Sequence, residues 1–322
     1  MRDMRVAHAS SARRSWVLGL ALAVATAWPL ATARAQDAEE ILDEDQMPDA
    51  TLMGDAGYSW QGDADIDRGG NFSVNRFDIG LLGRAQVADP LRWTNALFFG
   101  LSDYDFGGTG GSSNQPWGTI LTLRLVSKLT YALDEQWGLT VGGVFIASPE
   151  SGADWGDSIS GGGLLGVDFR PAKKFFISLG AAIITELEDD VTVAPSINMI
   201  WLPAPDWAVR VGAVPAAGGS AAAGEVAYKV LEPLEIGLGL LFNQRRFRLD
   251  DSGIAPDGVG EENNLPLRLR LGWTITPNFS AHVFAGAALA GELQLDDRNG
   301  NLLAKSDYDP APYVGLRLVG GF

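Results

Sequence analysis

The feature that most constrains this chain is a hydrophobic pattern of period two, sustained over runs of ten or more residues. In one run, Phe77, Ile79 and Leu81 alternate with Arg76 and Asp78. Further copies lie at residues 121–131, 207–211, 234–245 and 265–275. Because successive side chains of a strand point to opposite faces, each copy predicts a strand with one apolar and one polar face. Strands in soluble sandwiches usually have about five or six residues, so the longer runs favour another architecture.

The connections between these runs are of two kinds. Six are tight turns, at residues 88–90, 133–136, 170–173, 203–206, 232–233 and 276–278. The alternate connections are longer and polar, near residues 61–70, 104–117, 149–158, 186–190, 216–221, 250–263 and 296–309. Short turns at one end and longer loops at the other are typical of a transmembrane β-barrel whose turns face the periplasm. Residues 51–322 therefore predict an all-β, antiparallel up-and-down barrel of about 14 strands with both termini periplasmic. The alternative is about 12 strands, if the tenth and fourteenth are absent.

Bulky apolar residues, most of them aromatic, cluster at the predicted tight turns. Those that follow a turn are Trp93, Trp137, Phe175, Trp207, Leu234 and Phe279, and those that precede one are Tyr131, Trp201 and Trp273. Trp and Tyr are enriched where a membrane meets water, because their rings are apolar with one polar group. The pattern predicts an aromatic girdle at the periplasmic rim of the barrel.

The first 50 residues do not follow the strand pattern. Residues 1–35 combine a basic start, an apolar stretch at 16–27 and an Ala-Arg-Ala sequence at 33–35, which together predict a cleavable signal peptide. Residues 36–50 hold seven acidic residues and predict a short periplasmic leader. Removal of residues 1–35 takes away five Arg and one Asp, so 19 bases face 39 acids and the mature net charge is −20.

Composition excludes several classes of protein. Asp and Glu number 40 against 24 Lys and Arg, so we expect no basic face for nucleic acid. The chain has no Cys, which excludes thiolate catalysis, thiolate metal sites and disulfides. No segment after the signal has about 18 consecutive apolar residues, so no transmembrane helix is expected. We also find no phosphate-binding loop and no metal-ligand spacing, and therefore expect neither cofactor nor metal.

The last strand carries a second signature. Its alternate residues Val314, Leu316 and Leu318 are apolar, and the chain ends in Phe322. Such an end resembles the sorting signal that the barrel-assembly machinery of the outer membrane recognises. With the turn asymmetry and the signal peptide, residues 51–322 resemble a bacterial outer-membrane β-barrel of porin-like size. The sequences around 93–95 (Trp-Thr-Asn) and 104–106 (Tyr-Asp-Phe) are similar to an uncharacterised barrel family known only as a domain of unknown function.

This resemblance implies an environment and partners for the chain. It implies a bacterial outer-membrane location, contact with membrane lipids and lipopolysaccharide, and a small monomeric barrel. The loop acids include Asp63, Asp65 and Asp67 and the pairs at 261–262 and 296–297. They favour a solvated rim; the alternative is that divalent ions bridge them to lipopolysaccharide.

The polar faces of the predicted strands carry more bases than acids. The bases that we expect to line the lumen and set its selectivity are Arg76, Arg84, Arg124, Lys128, Arg210, Arg268, Arg270 and Arg317. The acids on the same faces are Asp78, Asp168, Glu225, Glu235 and Glu292. A ring of bases in a narrow aqueous pore favours anions. The alternative is that these bases pair with the lumen carboxylates and brace the wall.

Glycines are also frequent on the predicted lumen side. They include Gly100, Gly142, Gly162, Gly166, Gly180, Gly212, Gly237, Gly239, Gly272 and Gly286. They either leave room for water or relieve crowding where strands bend, and the sequence leaves both interpretations open.

One group of polar residues raises the question of catalysis. Asn278, Ser280 and His282 follow each other at a spacing of two, and barrel hydrolases use a Ser and a His on one strand. The predicted position is the lumen face near a tight turn, and the order is Ser before His, so we predict that the protein is not an enzyme. The sequence predicts a passive or narrow-specificity pore for small polar solutes, with anions as the hypothesis that the bases suggest. The alternative is a structural or surface-interaction barrel with a blocked lumen.

Overall fold

The computed structural model describes residues 50–108, 115–188, 191–213 and 220–322. The predicted signal peptide, residues 1–35, and all of the leader except Ala50 lie outside the described residues. The strands, in chain order, are β1 Ala50–Asp65, β2 Asn71–Ala88, β3 Leu91–Gly107, β4 Thr119–Ala132, β5 Trp137–Ala147, β6 Ile159–Ala172, β7 Phe175–Thr185, β8 Val191–Ala204, β9 Trp207–Ala213, β10 Ser220–Leu231, β11 Leu234–Arg248, β12 Val259–Thr276, β13 Phe279–Asp296, β14 Leu302–Tyr308 and β15 Ala311–Gly321. In this part of the chain no helix is long and apolar enough to cross a bilayer.

The strands form one closed antiparallel barrel. Strands β1 to β13 each pair with the next in the chain, and β15 closes the ring between β13 and β1. Strands β14 and β15 pair with successive parts of β13 and are separated by only two residues, 309–310, so they act as one strand. Counted this way, the barrel has the fourteen predicted strands. Closure leaves no sheet edge whose backbone groups would lack partners in lipid.

The two faces of the wall differ in polarity. In β2, Phe77, Ile79 and Leu81 are 42%, 43% and 46% exposed on the outer face, whereas Arg76 and Leu82 on the inner face are each 2% exposed. The same alternation in the other strands surrounds the barrel with large apolar side chains. An apolar outer band of this kind is what a barrel needs in order to lie in lipid.

The two ends of the barrel differ as the sequence predicts. All six tight turns lie at one end with both ends of the barrel sequence, and we call this the turn end; the opposite end is the loop end. Trp93, Trp137, Trp207 and Trp273 are exposed on the outer face beside the tight turns, where the girdle was predicted. The first strand begins at Ala50, one residue before the predicted boundary.

Several strands extend further at the loop end than the sequence predicts. Strand β3 continues to Gly107 and β12 begins at Val259, although the predicted loops included residues 104–107 and 259–263. In β3, exposed Asp103 and Asp105 alternate with buried Tyr104. The outer face is therefore polar here while the period-two alternation continues. The predicted loops were too long because polar residues on the outer face were taken to mark the end of a strand.

At the loop end the wall closes on itself a second time. Residues 148–151, just after β5, pair with the start of β4, where the Leu121 amide donates to the Pro149 carbonyl at 2.9 Å. The same segment pairs with the end of β11, where the Glu150 amide donates to the Arg248 carbonyl at 2.7 Å. On the other side, a bridge joins Ile66, just after β1, to Tyr308 of β14.

These contacts complete a smaller ring, which we call the cap. It consists of the loop-end parts of β11–β14 and β1–β4 together with residues 148–151, and it leaves β6–β10 outside. A ring of about eight strands has an interior that side chains just fill. Phe72, Tyr104, Phe106, Trp117 and Phe247 pack inside the cap, none of them more than 5% exposed. The straight path through the loop end is therefore filled by aromatic side chains.

Candidate functional site

The candidate site is the inner wall of the barrel, where the structure places all eight predicted lumen bases. They do not form one ring. Arg76 lies under the cap, the bases of β9, β12 and β15 lie among carboxylates, and Arg84 and Lys128 lie near the turn end on β2 and β4. Arg124 is buried in the middle of β4 within electrostatic range of Arg245 on β11. The interior is thus divided into regions of different chemistry.

The floor of the cap is built around Glu262 of β12, which is fully buried. The Arg76 guanidinium donates to both of its carboxylate oxygens, at 2.7 and 3.0 Å. The hydroxyls of Tyr104 and Tyr308 donate to the same carboxylate at 2.6 and 3.2 Å, and Arg245 lies at 3.4 Å. A buried carboxylate is tolerated only with such partners, because burial without them is very costly. Glu262 therefore ties together β2, β3, β11, β12 and β14.

A second group, which we call the paired quartet, consists of Arg210, Glu225, Glu235 and Arg270. Arg210 lies 3.1 Å from Glu225 and 3.3 Å from Glu235. Arg270 donates to the two Glu225 oxygens at 2.8 and 3.0 Å, and it also pairs with Glu235. Two bases and two acids alternate, so the quartet is neutral as a unit. It supports the interpretation that lumen bases brace the wall on strands β9–β12.

The two remaining bases of this side of the wall also have carboxylate partners. Arg317 of β15 pairs with Asp55 of β1 and with Asp78 of β2, the latter at 2.6 Å. Arg268 lies 4.0 Å from Glu225, and its guanidinium carbon lies 5.3 Å from the centre of the Phe284 ring. Two carboxylates therefore balance the charge of Arg317, whereas Arg268 shares Glu225 with the two arginines of the paired quartet.

A different arrangement lies near the turn end on β2–β4, and we call Arg84, Arg92 and Lys128 the basic patch. Thr94 of β3 is the register partner of both Arg84 and Lys128, which places the two bases on either side of it. Lys128 is within electrostatic range of Arg84, Arg92 and Asp168. All three bases are half-buried. Three bases thus lie together on this part of the inner wall, near the turn end.

The basic patch adjoins an apolar surface, which we call the apolar wall. Its members, all buried on the inner face of β2–β7, are Leu82, Ala96, Phe98, Val126, Val144, Leu164, Ala182 and Ile184. Leu82, Ala96, Val126 and Val144 form one cross-strand row by their register. The row of Arg84 and Lys128 is two residues nearer the turn end, which is about 7 Å along the strands.

Ser280 and His282 lie close together on the inner face of β13, with Ser280 Oγ 3.2 Å from His282 Nε2. The other ring nitrogen, Nδ1, lies 3.1 Å from Nη1 of Arg270. An arginine can only donate, so Nδ1 is the acceptor and the proton of the neutral ring is on Nε2. His282 therefore donates to Ser280 and has no lone pair directed at the hydroxyl. This geometry is the reverse of what a serine nucleophile needs from its base.

Two predicted positions are corrected by the structure. Glu262 was assigned to a solvated loop, yet it is the buried centre of the cap floor. Glu262 is an even number of residues from Arg268 and Arg270 on β12, and alternate residues of a strand share a face. This spacing is the signal that would have placed Glu262 on the inner face. Glu292 was assigned to the lumen, but it lies outside with Lys305 at 2.6 Å. A β-bulge in β13 near Ala290, whose φ is +46°, reverses the alternation before Glu292.

Several loop acids in the described residues take part in local contacts. Glu186 and Glu188 pair with Arg246 on the outer side of the cap, and no group of three or more His, Asp or Glu with metal-binding geometry is found in the described ranges. Glu150 accepts from the amides of Gly118 and Asp250 at 2.6 and 3.1 Å. Burial raises the pKa of the Glu150 carboxyl, although these two amides act in the opposite direction.

The inner-face glycines include positions where the strands approach too closely for a side chain. A Cβ on Gly162 would collide with the carbonyl oxygen of Ile183, and one on Gly180 would collide with that of Leu165. Gly286 meets the carbonyl of the neighbouring strand β12 in the same way. At these three positions the structure supports relief of crowding.

No family model matches this chain, so its likeness to an uncharacterised barrel family stays a prediction. No curated protein matches it either. Among solved structures, a FadL homologue of Pseudomonas aeruginosa is 10% identical, with 89% of this chain and 92% of that chain covered and a TM-score of 0.51. The COG4313 outer membrane channel of Pseudomonas putida F1 is 16% identical, with 87% and 98% covered and a TM-score of 0.48. The first of these two likenesses shows that this chain shares its overall fold with the FadL homologue.

Proposed function

We propose that this protein is an outer-membrane channel of narrow specificity for small solutes. The observation that carries the proposal is the charge on the inner wall of the fourteen-stranded part. Buried ion pairs such as the paired quartet are weak evidence for added stability, because packed apolar side chains in their place are often equally or more stabilising. Charged groups that persist in an interior instead favour a path for solutes, and perturbed charges cluster at functional sites.

The division of the wall limits where selectivity for anions can arise. Five predicted selectivity bases have carboxylate partners in the structure, namely Arg76, Arg210, Arg268, Arg270 and Arg317. Paired charges contribute little net potential to a pore. The preference for anions that we propose therefore does not rest on a ring of unpaired arginines.

The fold and the sequence together support the location and the route of export. We propose that residues 1–35 are cleaved and that the barrel-assembly machinery then inserts the barrel in the outer membrane. This route is supported by the apolar outer band, the exposed aromatic girdle and Phe322. The turn end then faces the periplasm and the cap faces the cell exterior. The geometry at Ser280 supports transport without enzymatic chemistry.

A second candidate is a structural barrel with a blocked lumen. The aromatic core of the cap favours it, because it fills the straight path through the loop end. Trp117 and Phe247 form a T-shaped pair at 5.1 Å in this core, and Phe247 is 1% exposed. The two candidates differ in whether solutes pass when the cap is loosened.

Single-channel recording of the purified full-length protein in planar bilayers separates the two. We expect small conductance steps from the wild type and larger steps from Phe247→Ala, because the substitution removes a ring from the cap core. Phe99→Ala is the matched control, since Phe99 is 41% exposed on the outer face. Equal conductance of wild type and Phe247→Ala would place the route beside the cap. Absence of conductance in all three proteins would refute the channel and favour the blocked barrel.

A further inference from the structure

We infer that solutes enter beside the cap, through a passage between the cap and strands β6–β10 that a releasable lid covers. The lid consists of two segments, residues 152–158, which lead to β6, and residues 186–188, which follow β7. This inference rests on the proposed function, to which it adds the place of entry and the means of closure.

The cap occupies only part of the loop end. It uses the loop-end parts of β11–β14 and β1–β4, so β6–β10 surround a part of the interior that lies outside it. Aromatic rings fill the cap, whereas the inner-face residues nearest the loop end on the excluded strands include Ser160, Gly162, Ile184 and Ser196. None of these four has an aromatic ring. Side chains of the wall therefore fill this part of the loop end less than they fill the cap.

Residues 186–188 cross this part of the loop end instead of following its rim. They come directly after β7, yet the Leu187 carbonyl accepts from the Arg248 guanidinium on β11. Both glutamates of the segment pair with Arg246, which is also on β11. Strands β8, β9 and β10 stand between β7 and β11 in the wall. The segment therefore reaches over the passage to the outer side of the cap.

Arg248 fastens both segments of the lid to the cap. It is 6% exposed, and its guanidinium donates to three carbonyls, that of Asp157 at 3.0 Å, that of Asp257 at 2.8 Å and that of Leu187. Asp257 lies between β11 and β12, two strands of the cap, whereas Asp157 and Leu187 belong to the lid. An arginine holds its donors in a rigid planar fork, so one side chain fixes the two lid segments together. Loss of this side chain would free both segments at once.

The contact at Arg246 can break without leaving a charge unpaired. Arg246 is 21% exposed, and on the cap side it lies 3.1 Å from Glu261 and 4.0 Å from Asp296. It keeps these two carboxylates when the lid moves away. The two lid glutamates gain water in exchange, and partly exposed ion pairs contribute little to stability. This contact therefore resists opening only weakly.

The cap is held more firmly than the lid. In the described residues, the aromatic core of the cap includes no residue of the lid. Residues 148–151 are joined to β4 and β11 by backbone hydrogen bonds, and the Glu150 carboxylate accepts from two further amides. Segments held by a few polar contacts open at a lower free-energy cost than packed cores do. The lid can therefore move away while the cap stays closed.

Single-channel recording of the full-length protein in planar bilayers tests the lid. Arg248→Met removes all three hydrogen bonds but keeps a long apolar side chain. We expect the fraction of time spent open to rise roughly tenfold, which is the effect of one lost charge-assisted hydrogen bond. The size of the steps should stay that of the wild type, because the passage itself is unchanged. Phe247→Ala, which opens a second path through the cap, should change the step size instead.

A second variant and a control complete the recording. Glu186→Gln/Glu188→Gln removes the ion pairs of the lid while the Arg248 contacts stay, so it tests the lid if Arg248→Met does not fold. We expect a smaller rise of the open fraction, by about two- to fivefold. Lys305→Gln is the matched control, because it removes a base at the loop end whose ion pair, with Glu292, does not involve the lid. It should leave the open fraction unchanged.

A spin label on the lid reports its release independently of conductance. Trp155 is 48% exposed in the lid, and the chain has no Cys, so Trp155→Cys provides a single attachment point. In lipid vesicles, the label should be more mobile when Arg248→Met is added than when Arg248 is kept. Addition of Lys305→Gln should not alter its mobility.

These readouts separate the lid from the channel. If the wild type conducts but Arg248→Met changes neither the open fraction nor the label, the inference is overturned and the channel stands. In a conducting protein, a change in one readout without the other would also overturn the inference, as would an equal effect of Lys305→Gln. If no variant conducts although Arg248→Met releases the label, the lid stands as a structure, and the channel and the entry of solutes beside the cap are refuted.

Discussion

Replacement of Glu262 by glutamine tests whether its charge holds the cap together. The side chain is fully buried, and its carboxylate lies 2.7 Å from Arg76, which is itself 2% exposed. Glu262→Gln keeps the size of the side chain but leaves Arg76 buried without its carboxylate. Removal of one partner from a buried ion pair costs about 3–5 kcal/mol, and we expect the free energy of unfolding to fall by this amount. Urea unfolding in lipid vesicles, followed by tryptophan fluorescence, measures it.

The matched control is Glu292→Gln on the neighbouring strand. Glu292 also pairs with one base, Lys305, at 2.6 Å, but the two side chains are 25% and 43% exposed. Exposed pairs contribute about 0–1 kcal/mol, so this variant should unfold almost as the wild type does. If Glu262→Gln lowers the free energy of unfolding no more than Glu292→Gln does, the cap is held by its aromatic core and the argument from buried charge is refuted.

Two further substitutions test the local arguments. We expect the wild type, Ser280→Ala and empty micelles to hydrolyse p-nitrophenyl esters at the same rate, because His282 donates to Ser280 and cannot act as its base. If the wild type hydrolyses the esters and Ser280→Ala does not, Ser280 is a nucleophile and the argument is wrong. Gly162→Ala should lower the free energy of unfolding by about 1–3 kcal/mol, because the added Cβ meets a backbone carbonyl that cannot rotate away. Gly83→Ala is its control, since a Cβ there has no atom within 4 Å, and equal effects of the two glycine variants would argue against crowding.

The barrel is predictable from the sequence because its signals are local. A strand of a membrane barrel has one face in lipid, so its apolar residues recur every second position whatever the rest of the chain does. Each tight turn can likewise be predicted from the few residues that form it. The strand number, the direction of the termini and the exposed positions of Trp93 and Trp207 follow from such signals, and the structure agrees with them.

The pairing of charges is not local and could not be predicted. Arg76 and Glu262 are 186 positions apart in the chain, and no pattern within β2 or β12 indicates that they meet. The same is true of Arg210 and Glu235, which lie on strands that are not neighbours. Counting bases against acids therefore suggested a ring of arginines, whereas the structure places Arg210 and Arg270 in a quartet with two glutamates and places Arg84 and Lys128 near the turn end.

Small irregularities had effects that periodicity alone misses. One bulge near Ala290 reverses the faces of β13 and moves Glu292 out of the interior. Asp309 and Pro310 divide the last strand into β14 and β15 without changing the strand count. Residues 148–151 were expected to lie in an ordinary loop, yet their backbone pairs with both β4 and β11.

By itself, therefore, the sequence determined that this chain forms a closed barrel with an apolar exterior, since the alternation of side chains and the turn residues act within a few positions of each other. Only the tertiary structure decided what the interior contains. The cap, the cap floor at Glu262, the paired quartet and the basic patch beside the apolar wall depend on which strands face each other across the lumen. That arrangement is set by ring closure and by contacts between distant residues, on which the period-two pattern carries no information.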